Sequence, residues 1–195
     1  QGFWIADSEC TQALWRAVVG SEPSAHAGSA CPVESVSWDD VQRFLVTINA
    51  KIPALGARLP TEAEWEYACR AGSTAPYSSW RGAVEPAYLD QIAWHAGNVS
   101  ETQPVKRRLP NTIGLFDLHG NVWEWCEDGY GLYPPVAVTD PFGLAAAKRI
   151  ARGGSWGDRA KAQRAANRLA VPQGVRSAYL GFRLVINVQS ASQEP

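Results

Sequence analysis

The sequence predicts a loop-rich α+β domain, and three observations carry that expectation. The first half of the 195-residue chain holds three capped starts of amphipathic helices. From Gly72 onward the pattern changes to short apolar bursts separated by Gly, Pro, Asn and Asp, which is typical of short strands joined by long ordered loops. The composition agrees, because 17 Gly, 13 Pro and nine Trp describe a chain that turns often between packed aromatic side chains.

Each predicted helix begins after a residue of N-cap type that precedes apolar side chains at helical spacing. These residues are Thr11 before QALWRAVV, Ser37 before WDDVQRFLVTINA and Thr61 before EAEWEYACRAG. Asp40 and Glu64 each follow three residues after a cap, so each can return a hydrogen bond to the cap backbone. Gly20 is expected to end the first helix, since glycine readily takes the left-handed conformation that closes helices.

Length and charge indicate one domain that neither binds nucleic acid nor enters a membrane. We expect the domain to cover residues 1–188 and the last residues, 189–195, to form a disordered tail. The formal charge is −1 and the pI about 6.3, which gives no field to attract a polyanion. No apolar run approaches the roughly 18–20 residues that span a bilayer. Because the sequence contains no Met, even at position 1, we expect the natural N-terminus to be trimmed or absent from this sequence.

The four cysteines lack the spacing of a zinc site. They are Cys10, Cys31, Cys69 and Cys126, with no CxxC or Cys/His pair among them. A disulfide between Cys10 and Cys31 would close a loop of about 20 residues and could stabilise the fold by roughly 3 kcal/mol. Burial of the two as free thiols is the alternative, and the sequence leaves both open.

Five blocks, in register, resemble the formylglycine-generating-enzyme-like (sulfatase-modifying factor) family. They read PVESVSWDDVQRF, RLPTEAEWEYACRAG, PNTIGLFDLHGNVWEWCED, RIARGGSW and LGFRLV, and they extend over roughly positions 30 to 186. The resemblance implies a modified C-type-lectin-like fold. It does not by itself settle function, because related sites on one fold can differ in chemistry.

The resemblance argues against formylglycine generation. In the sulfatase-activating members, two cysteines after the GGS motif bind copper and oxidise a substrate cysteine. Counted from Ser155, those positions carry Asp158 and Gln163, and no cysteine follows Cys126. A carboxylate and a carboxamide do not replace the thiolate pair that holds Cu(I), so no copper is expected. Asp158, Arg159 and Gln163 are then the candidate polar floor of any retained groove, and catalytic residues are not assigned.

A second branch of the family holds a mononuclear iron with three histidines. This chain has three histidines, His26, His95 and His119, scattered along the sequence without an HxxxH pair. We therefore expect them to be structural.

The resemblance also implies structural calcium. Asp117 and Glu124, with the carbonyls of Gly120 and Val122, match a family calcium site position by position, and such oxygen ligands suit Ca²⁺. Asp90 and Asn98 are the nearest equivalents of a second calcium site. The alternative for the first set is that Asp117 and Glu124 only accept backbone hydrogen bonds in a tight turn.

These features together lead us to expect a non-catalytic binding or regulatory protein of the bacterial periplasm. The nearest functional precedent is the TagR-like regulators of type VI secretion, which would make the partner a membrane Ser/Thr kinase or an outer-membrane lipoprotein. The alternative is an enzyme, a periplasmic oxidative-maturation protein of the kind required for the siderophore pyoverdine. Its acid or base candidates would be Asp158, Glu127 and Asp128.

Overall fold

A computed structural model describes residues 2–79, 82–83, 86–133, 135–136, 138–143 and 146–188. Its three α-helices are α1 (Gln12–Val19), α2 (Trp38–Lys51) and α3 (Glu62–Arg70), and two 3₁₀ helices span Pro86–Gln91 and Ala160–Gln163. The described strands are β1 (Phe3–Ile5), β2 (Ala57–Arg58), β3 (Ser78–Ser79), β4 (Gly82–Ala83), β5 (Trp123–Gly129), β6 (Lys148–Arg152), β7 (Arg168–Pro172), β8 (Leu180–Gly181) and β9 (Val185–Asn187). The three predicted helices form in the first half of the chain and most of the short strands follow them, but β1 and β2 also lie in the first half, where the sequence predicted no strand.

The three predicted helix caps form as the sequence indicates. The Thr11 side chain accepts the amide of Leu14, and Gly20 closes α1 in the left-handed region at φ 81°. Ser37 and Thr61 each make the reciprocal box with the acidic residue three positions later. These hydrogen bonds satisfy amide groups that a helix N-terminus otherwise leaves unpaired.

Two sheets connect distant parts of the chain. The four-stranded sheet has the order β7-β6-β5-β8, in which β5 pairs antiparallel with β6 and parallel with β8. The three-stranded sheet has the order β1-β9-β2, so the first and last described strands lie side by side. The long β5 strand runs through the centre of the first sheet and carries buried polar residues as well as core residues.

The main core lies between α1, α2 and the sheets. Trp15 stacks on Phe44 with ring centroids 5.2 Å apart, and both rings meet the edge of Phe182. A second cluster forms beneath α3 around Trp65, Cys69 and Cys126. Burying large apolar side chains in this way provides most of the stability of a domain of this size.

Of the two alternatives that the sequence leaves open for Cys10 and Cys31, the structure has both residues as buried free thiols. An antiparallel bridge pairs Thr11 with Pro32, the Val33 amide donates to the Cys10 carbonyl, and the Gln12 amide donates to that of Cys31. This register sets the two cysteines diagonally, where Cα atoms are about 7–8 Å apart. That separation exceeds what a disulfide can bridge without movement of the backbone.

No α-helix among the described residues is long and apolar enough to cross a membrane. The expected tail, residues 189–195, lies outside the described residues.

Candidate functional site

The turn after β6 positions the residues that stand where the resemblance places the copper cysteines. Gly153 and Gly154 both have positive φ, 98° and 81°, a conformation that glycine adopts without strain. A Cβ at Gly154 would collide with the side chain of Gln163. The glycine pair therefore brings the Ser155 backbone close to the short helix that ends at Gln163.

Asp158 is held by three hydrogen bonds from inside the protein. Its Oδ2 accepts the indole N–H of Trp123 at 2.8 Å, the hydroxyl of Ser155 at 2.5 Å and the Ser155 amide at 3.1 Å. One carboxylate thus fastens β5 to the turn after β6. Arg159, by contrast, is exposed beside it.

Gln163 is fully buried and also acts in the interior. Its Nε2 donates to the Ser155 carbonyl at 2.9 Å, and its backbone carbonyl lies 2.8 Å from Nδ1 of His119. Asp158 and Gln163 therefore lie close together, as predicted, because both form hydrogen bonds with Ser155. Both residues hold the backbone of the turn in place. Of the expected groove floor, Arg159 is exposed, Asp158 is partly exposed and Gln163 is fully buried.

The cysteines of this chain offer no reactive thiolate in the described structure. All four are buried, and burial raises the pKa of each thiol, to about 12 at Cys69. Thiolate chemistry requires the opposite environment, an accessible sulfur with a lowered pKa.

The carboxylate of Glu124 is engaged by protein groups. Its Oε2 accepts Nε1 of Trp65 at 2.7 Å and Nε of Arg183 at 2.6 Å, while Oε1 accepts Nη2 of Arg183 at 2.7 Å. Glu124 and Arg183 are both fully buried. An ion bound to Glu124 would lie against the guanidinium charge. In the structure Glu124 is the partner of Arg183, and its expected role as a calcium ligand stays a prediction.

Asp117 lies in the turn before β5 with one oxygen unpartnered. Its Oδ2 accepts the Lys106 amide at 2.7 Å, whereas Oδ1 is buried without a hydrogen-bond partner. Beside it lies Glu9, from the loop between β1 and α1, and neither carboxylate oxygen of Glu9 has a partner. Burial raises the pKa of Asp117 to about 6, and burial together with the Asp117 charge raises that of Glu9 well above its usual value.

Gly120 and Val122 complete the turn that leads into β5. Gly120 has φ 131°, and a Cβ there would collide with the carbonyl of Trp94. Val122 is fully buried. The turn is therefore tightly packed, and the Asp117 carboxylate before it lies beside Glu9.

Asp90 and Asn98, expected at a second calcium site, are neighbours. Asn98 Nδ2 donates to Asp90 Oδ1 at 2.8 Å, and Nε2 of His95 lies 2.8 Å from the same oxygen. The remaining Asn98 oxygen accepts the His95 amide at 2.9 Å. These contacts form a closed hydrogen-bonded cluster at a partly exposed position.

The histidines are dispersed. His26 packs edge-on against Trp156, His95 pairs with Asp90, and His119 is buried under α3. Within the described ranges, no group of three or more His, Cys, Asp or Glu side chains is arranged to hold a metal.

Sequence reasoning missed an aromatic groove of about 810 Å³ between α3 and the segment after β5. Its large side chains are Tyr67, Tyr130, Leu132, Tyr133, Val138 and Phe142. All are exposed, Leu132 to 94% and Tyr67 to 73%. The signal was present in GYGLYPP, where aromatic and apolar residues lie between Gly and Pro in a segment too irregular to bury them.

The polar side of this aromatic groove is rigidly held. Arg168 donates to both oxygens of Glu62, at 2.6 and 2.8 Å, and its guanidinium lies over the rings of Tyr130 and Tyr133. Asp128 accepts the amides of Glu62 and Gly143, both at 2.7 Å. Burial raises the pKa of Asp128.

Glu127, the third acid or base candidate, lies outside the lining of the aromatic groove. It accepts Nε2 of Gln42 at 3.1 Å, and burial raises its pKa. Of the three acid or base candidates, Asp128 lines the aromatic groove, whereas Glu127 and Asp158 are not among its lining residues.

Comparison with known proteins gives a consistent family. The model of the sulfatase-modifying factor enzyme 1-like domain matches residues 1–188. The chain is 35% identical over 156 residues to the formylglycine-generating enzyme of Mus musculus, covering 74% of this chain and 40% of that protein. It is 32% identical over 185 residues to the inactive C-alpha-formylglycine-generating enzyme 2 of Bos taurus, covering 88% and 56%. It is 30% identical over 162 residues to the Serine/threonine-protein kinase pkn1 of Chlamydia pneumoniae, covering 80% and 24%.

Solved structures agree with this result. Treponema denticola variable protein 1 superposes with a TM-score of 0.88 at 31% identity, over 95% of this chain and 84% of that one. PvdO from Pseudomonas aeruginosa superposes at 0.80 over 95% and 80%, and its 22% identity shows a shared fold alone. The expected C-type-lectin-like α+β fold is confirmed. The chain spans 40%, 56% and 24% of the lengths of the three curated relatives named above. By the family model and by these relatives, the chain belongs to the sulfatase-modifying factor family, which includes formylglycine-generating enzymes and inactive members.

Proposed function

We propose that this domain is a non-catalytic member of its family that binds a protein partner. One observation carries the proposal: Asp158 and Gln163 stand where the resemblance places the copper cysteines, and both form hydrogen bonds with the buried residue Ser155. Neither residue is a soft ligand, and no cysteine follows Cys126. The existence of a relative named as inactive supports loss of the oxidase function within this family.

The aromatic groove is the proposed binding surface. Tyrosines and an arginine dominate its lining, and these residue types are enriched at the energetic centres of protein interfaces. Arg168 and Glu62 neutralise each other at its edge, so a partner would not have to bring a compensating charge. Removing the exposed apolar side chains from water would contribute favourably to the free energy of partner binding.

For the partner, we propose the periplasmic domain of a membrane Ser/Thr kinase or an outer-membrane lipoprotein, as in type VI secretion control. The similarity to a domain-sized part of a protein named as a Ser/Thr kinase supports a link to kinase signalling. A periplasmic location is part of this proposal. It rests on the expected partner and on the predicted structural calcium, and the free thiols of Cys10 and Cys31 give it no support.

Asp128 keeps an enzymatic alternative open. Its raised pKa and its place in the aromatic groove are features of a general acid, which an oxidative-maturation enzyme of siderophore type would need. Against this role, both of its oxygens already accept backbone amides. Asp128→Asn should therefore lower the free energy of unfolding, because an amide nitrogen cannot accept one of these two backbone hydrogen bonds.

The oxidase function is tested directly by incubating the protein with Cu(I), oxygen and a cysteine-containing sulfatase peptide. Mass spectrometry should detect no formylglycine, whereas the mouse enzyme, run as a positive control, converts the peptide. Formation of formylglycine by this chain would refute the proposal.

Partner binding is tested with purified proteins and two matched variants. Leu132→Asp places a charge in the aromatic groove, and we expect its Kd for the kinase periplasmic domain or the lipoprotein to rise at least tenfold. Val46→Asp makes the same change at a 72%-exposed position of α2 outside the groove, and its Kd should equal that of the wild type. Equal affinity of all three proteins, or no binding of either partner, would exclude this function.

A further inference from the structure

Strand β7 forms one edge of the four-stranded sheet. Among the described strands, only β6 pairs with it, from Arg168, which lies opposite Arg152, to Pro172, which lies opposite Lys148. In an antiparallel pair, the N–H and C=O of one residue point to the same side of the strand, and successive residues alternate between the two sides. Every second residue of β7 therefore directs its backbone groups away from β6.

The register identifies these outward-pointing residues. The Lys148 carbonyl accepts the amide of Tyr130, so the backbone of Lys148 points toward β5 and does not bond to Pro172. Pro172 consequently points away from β6, and so do Ala170 and Arg168, two and four residues before it. Within the described residues, the backbone N–H and C=O groups of Ala170 and Arg168 make no hydrogen bond. We call these free groups the β7 edge.

The β7 edge suits an extended polypeptide. Its N–H and C=O groups repeat every second residue, about 6.6–6.8 Å apart, which is the repeat of another extended strand. A helix cannot pair in this way, because its backbone groups are already bonded along its own axis. Pro172 ends the usable edge, since it has no N–H and its carbonyl already accepts the Val175 amide. A short strand can therefore add beside Arg168 and Ala170.

The β7 edge leads into the aromatic groove. Arg168 lines the groove, and its side chain lies on the same face of the sheet as that of Ala170. In an added strand, the side chain that faces Arg168 would point toward Tyr130 and Tyr133, so this position suits an apolar or aromatic residue. At the other end of β7, Lys148 is exposed and makes no ion pair in the described contacts, so an acidic residue there would be complementary.

We propose that the partner binds by adding an extended segment as a fifth strand beside β7, with an apolar or aromatic side chain in the aromatic groove. The inference rests on the proposed function, because it takes the aromatic groove to be the surface that binds a protein partner. Backbone hydrogen bonds along the β7 edge provide affinity, and the groove selects the side chain.

The first test is amide hydrogen exchange of the free wild type and of its complex with the kinase periplasmic domain or the lipoprotein. In the free protein, the amides of Arg168 and Ala170 should exchange roughly tenfold faster or more than those of Leu169 and Val171, which bond to β6. The complex should slow exchange at Arg168 and Ala170 by a similar factor and change the other two far less. Unchanged exchange at Arg168 and Ala170 in the complex would overturn the inference.

The second test compares two substitutions at one position. Ala170→Pro removes an outward N–H and leaves the β6 ladder intact, whereas Ala170→Val adds a side chain of similar size and keeps the N–H. The Kd of Ala170→Pro should rise roughly tenfold or more, and that of Ala170→Val should equal the wild-type value. Thermal unfolding checks that both variants fold, and if Ala170→Pro does not, the exchange measurement decides.

The outcomes separate this inference from the proposed function. If Leu132→Asp weakens binding but Ala170→Pro binds as tightly as Ala170→Val, strand addition is wrong and the groove remains the binding surface. If neither partner binds the wild type, the proposed function fails and strand addition fails with it.

Discussion

At the scale of single residues, Arg183 is the junction of the buried polar network. Besides its two bonds to Glu124, it donates to the carbonyl of Ala6 at 3.1 Å and to that of Phe116 at 2.9 Å. One guanidinium thus connects the end of β1, the turn before β5 and β5 itself. A buried pair of this kind adds little net stability relative to apolar residues, but it strongly penalises loss of one partner.

Glu124→Gln should therefore lower the free energy of unfolding by about 3–5 kcal/mol, because the buried Arg183 charge loses the carboxylate that accepts two of its hydrogen bonds. Urea denaturation measures this loss. The exposed Arg16–Glu22 pair supplies the comparison, and Glu22→Gln should change stability by about 1 kcal/mol or less. A Glu124→Gln variant as stable as Glu22→Gln would show that the guanidinium finds other compensation.

His119 is built to be neutral. Its Nδ1 lies 2.8 Å from the Gln163 carbonyl and donates to it, so Nε2 is left to accept the Ser78 amide at 3.0 Å. A second proton on Nε2 would point at that amide. Burial lowers the pKa of His119 to about 4 from 6.5.

This residue should make the fold sensitive to acid. The lowered pKa means that the unfolded chain binds a proton at His119 before the folded chain does, so its contribution is complete above pH 6.5 and is lost as the pH falls toward 4. In chelator, the unfolding free energy of the wild type should fall by about 3 kcal/mol more than that of His119→Gln over this interval. Parallel pH profiles of the two proteins would contradict this.

At the scale of elements, α3 depends on contacts at its first turn. Thr61 and Glu64 form the capping box, and Arg58 donates to both oxygens of Glu64, at 2.7 and 2.6 Å. Asp128 accepts the amide of Glu62 from the neighbouring strand. The same turn borders the aromatic groove, so capping and the shape of the proposed binding surface are coupled.

Thr61→Ala should destabilise the protein by about 1 kcal/mol, because the Glu64 amide loses its acceptor. Chemical denaturation provides the measurement. Thr47→Ala is the control inside α2, where alanine favours the helix and the Thr47 hydroxyl only bonds back to the Arg43 carbonyl, so stability should stay the same or rise. Equal losses in both variants would mean that the capping bond contributes nothing measurable.

Local patterns predicted the elements well, whereas the sites depended on contacts between distant residues. Ser37 with Asp40 and Thr61 with Glu64 lie three residues apart, so their hydrogen bonds could be predicted from spacing alone. By contrast, Arg183, which pairs with Glu124, and Glu9, which lies beside Asp117, come from the two ends of the chain. No spacing in the sequence relates these residues. The aromatic groove was missed for a related reason: exposed aromatic residues have no periodicity that distinguishes them from core residues.

At the scale of the whole molecule, the four cysteines report on the integrity of the fold. Burial raises the pKa of every thiol. In the native protein, almost no cysteine should therefore react with a thiol reagent. After denaturation without reductant, four thiols should titrate. Two thiols instead of four would reveal a disulfide, and rapid reaction of the native protein would reveal an accessible cysteine.

The pairing of β1 with β9 also governs how this domain can be joined to others. Phe3 lies opposite Asn187, and Ile5 opposite Val185, so the polypeptide enters and leaves the fold on neighbouring strands about 5 Å apart. A host protein could therefore accept the domain within a surface loop with little displacement of its own backbone. If the two ends were pulled in opposite directions, the β1–β9 hydrogen bonds would open one after another from the Phe3 end, as in unzipping. The domain is thus suited to being carried as an insertion or appendage, and poorly suited to transmitting tension between two neighbours.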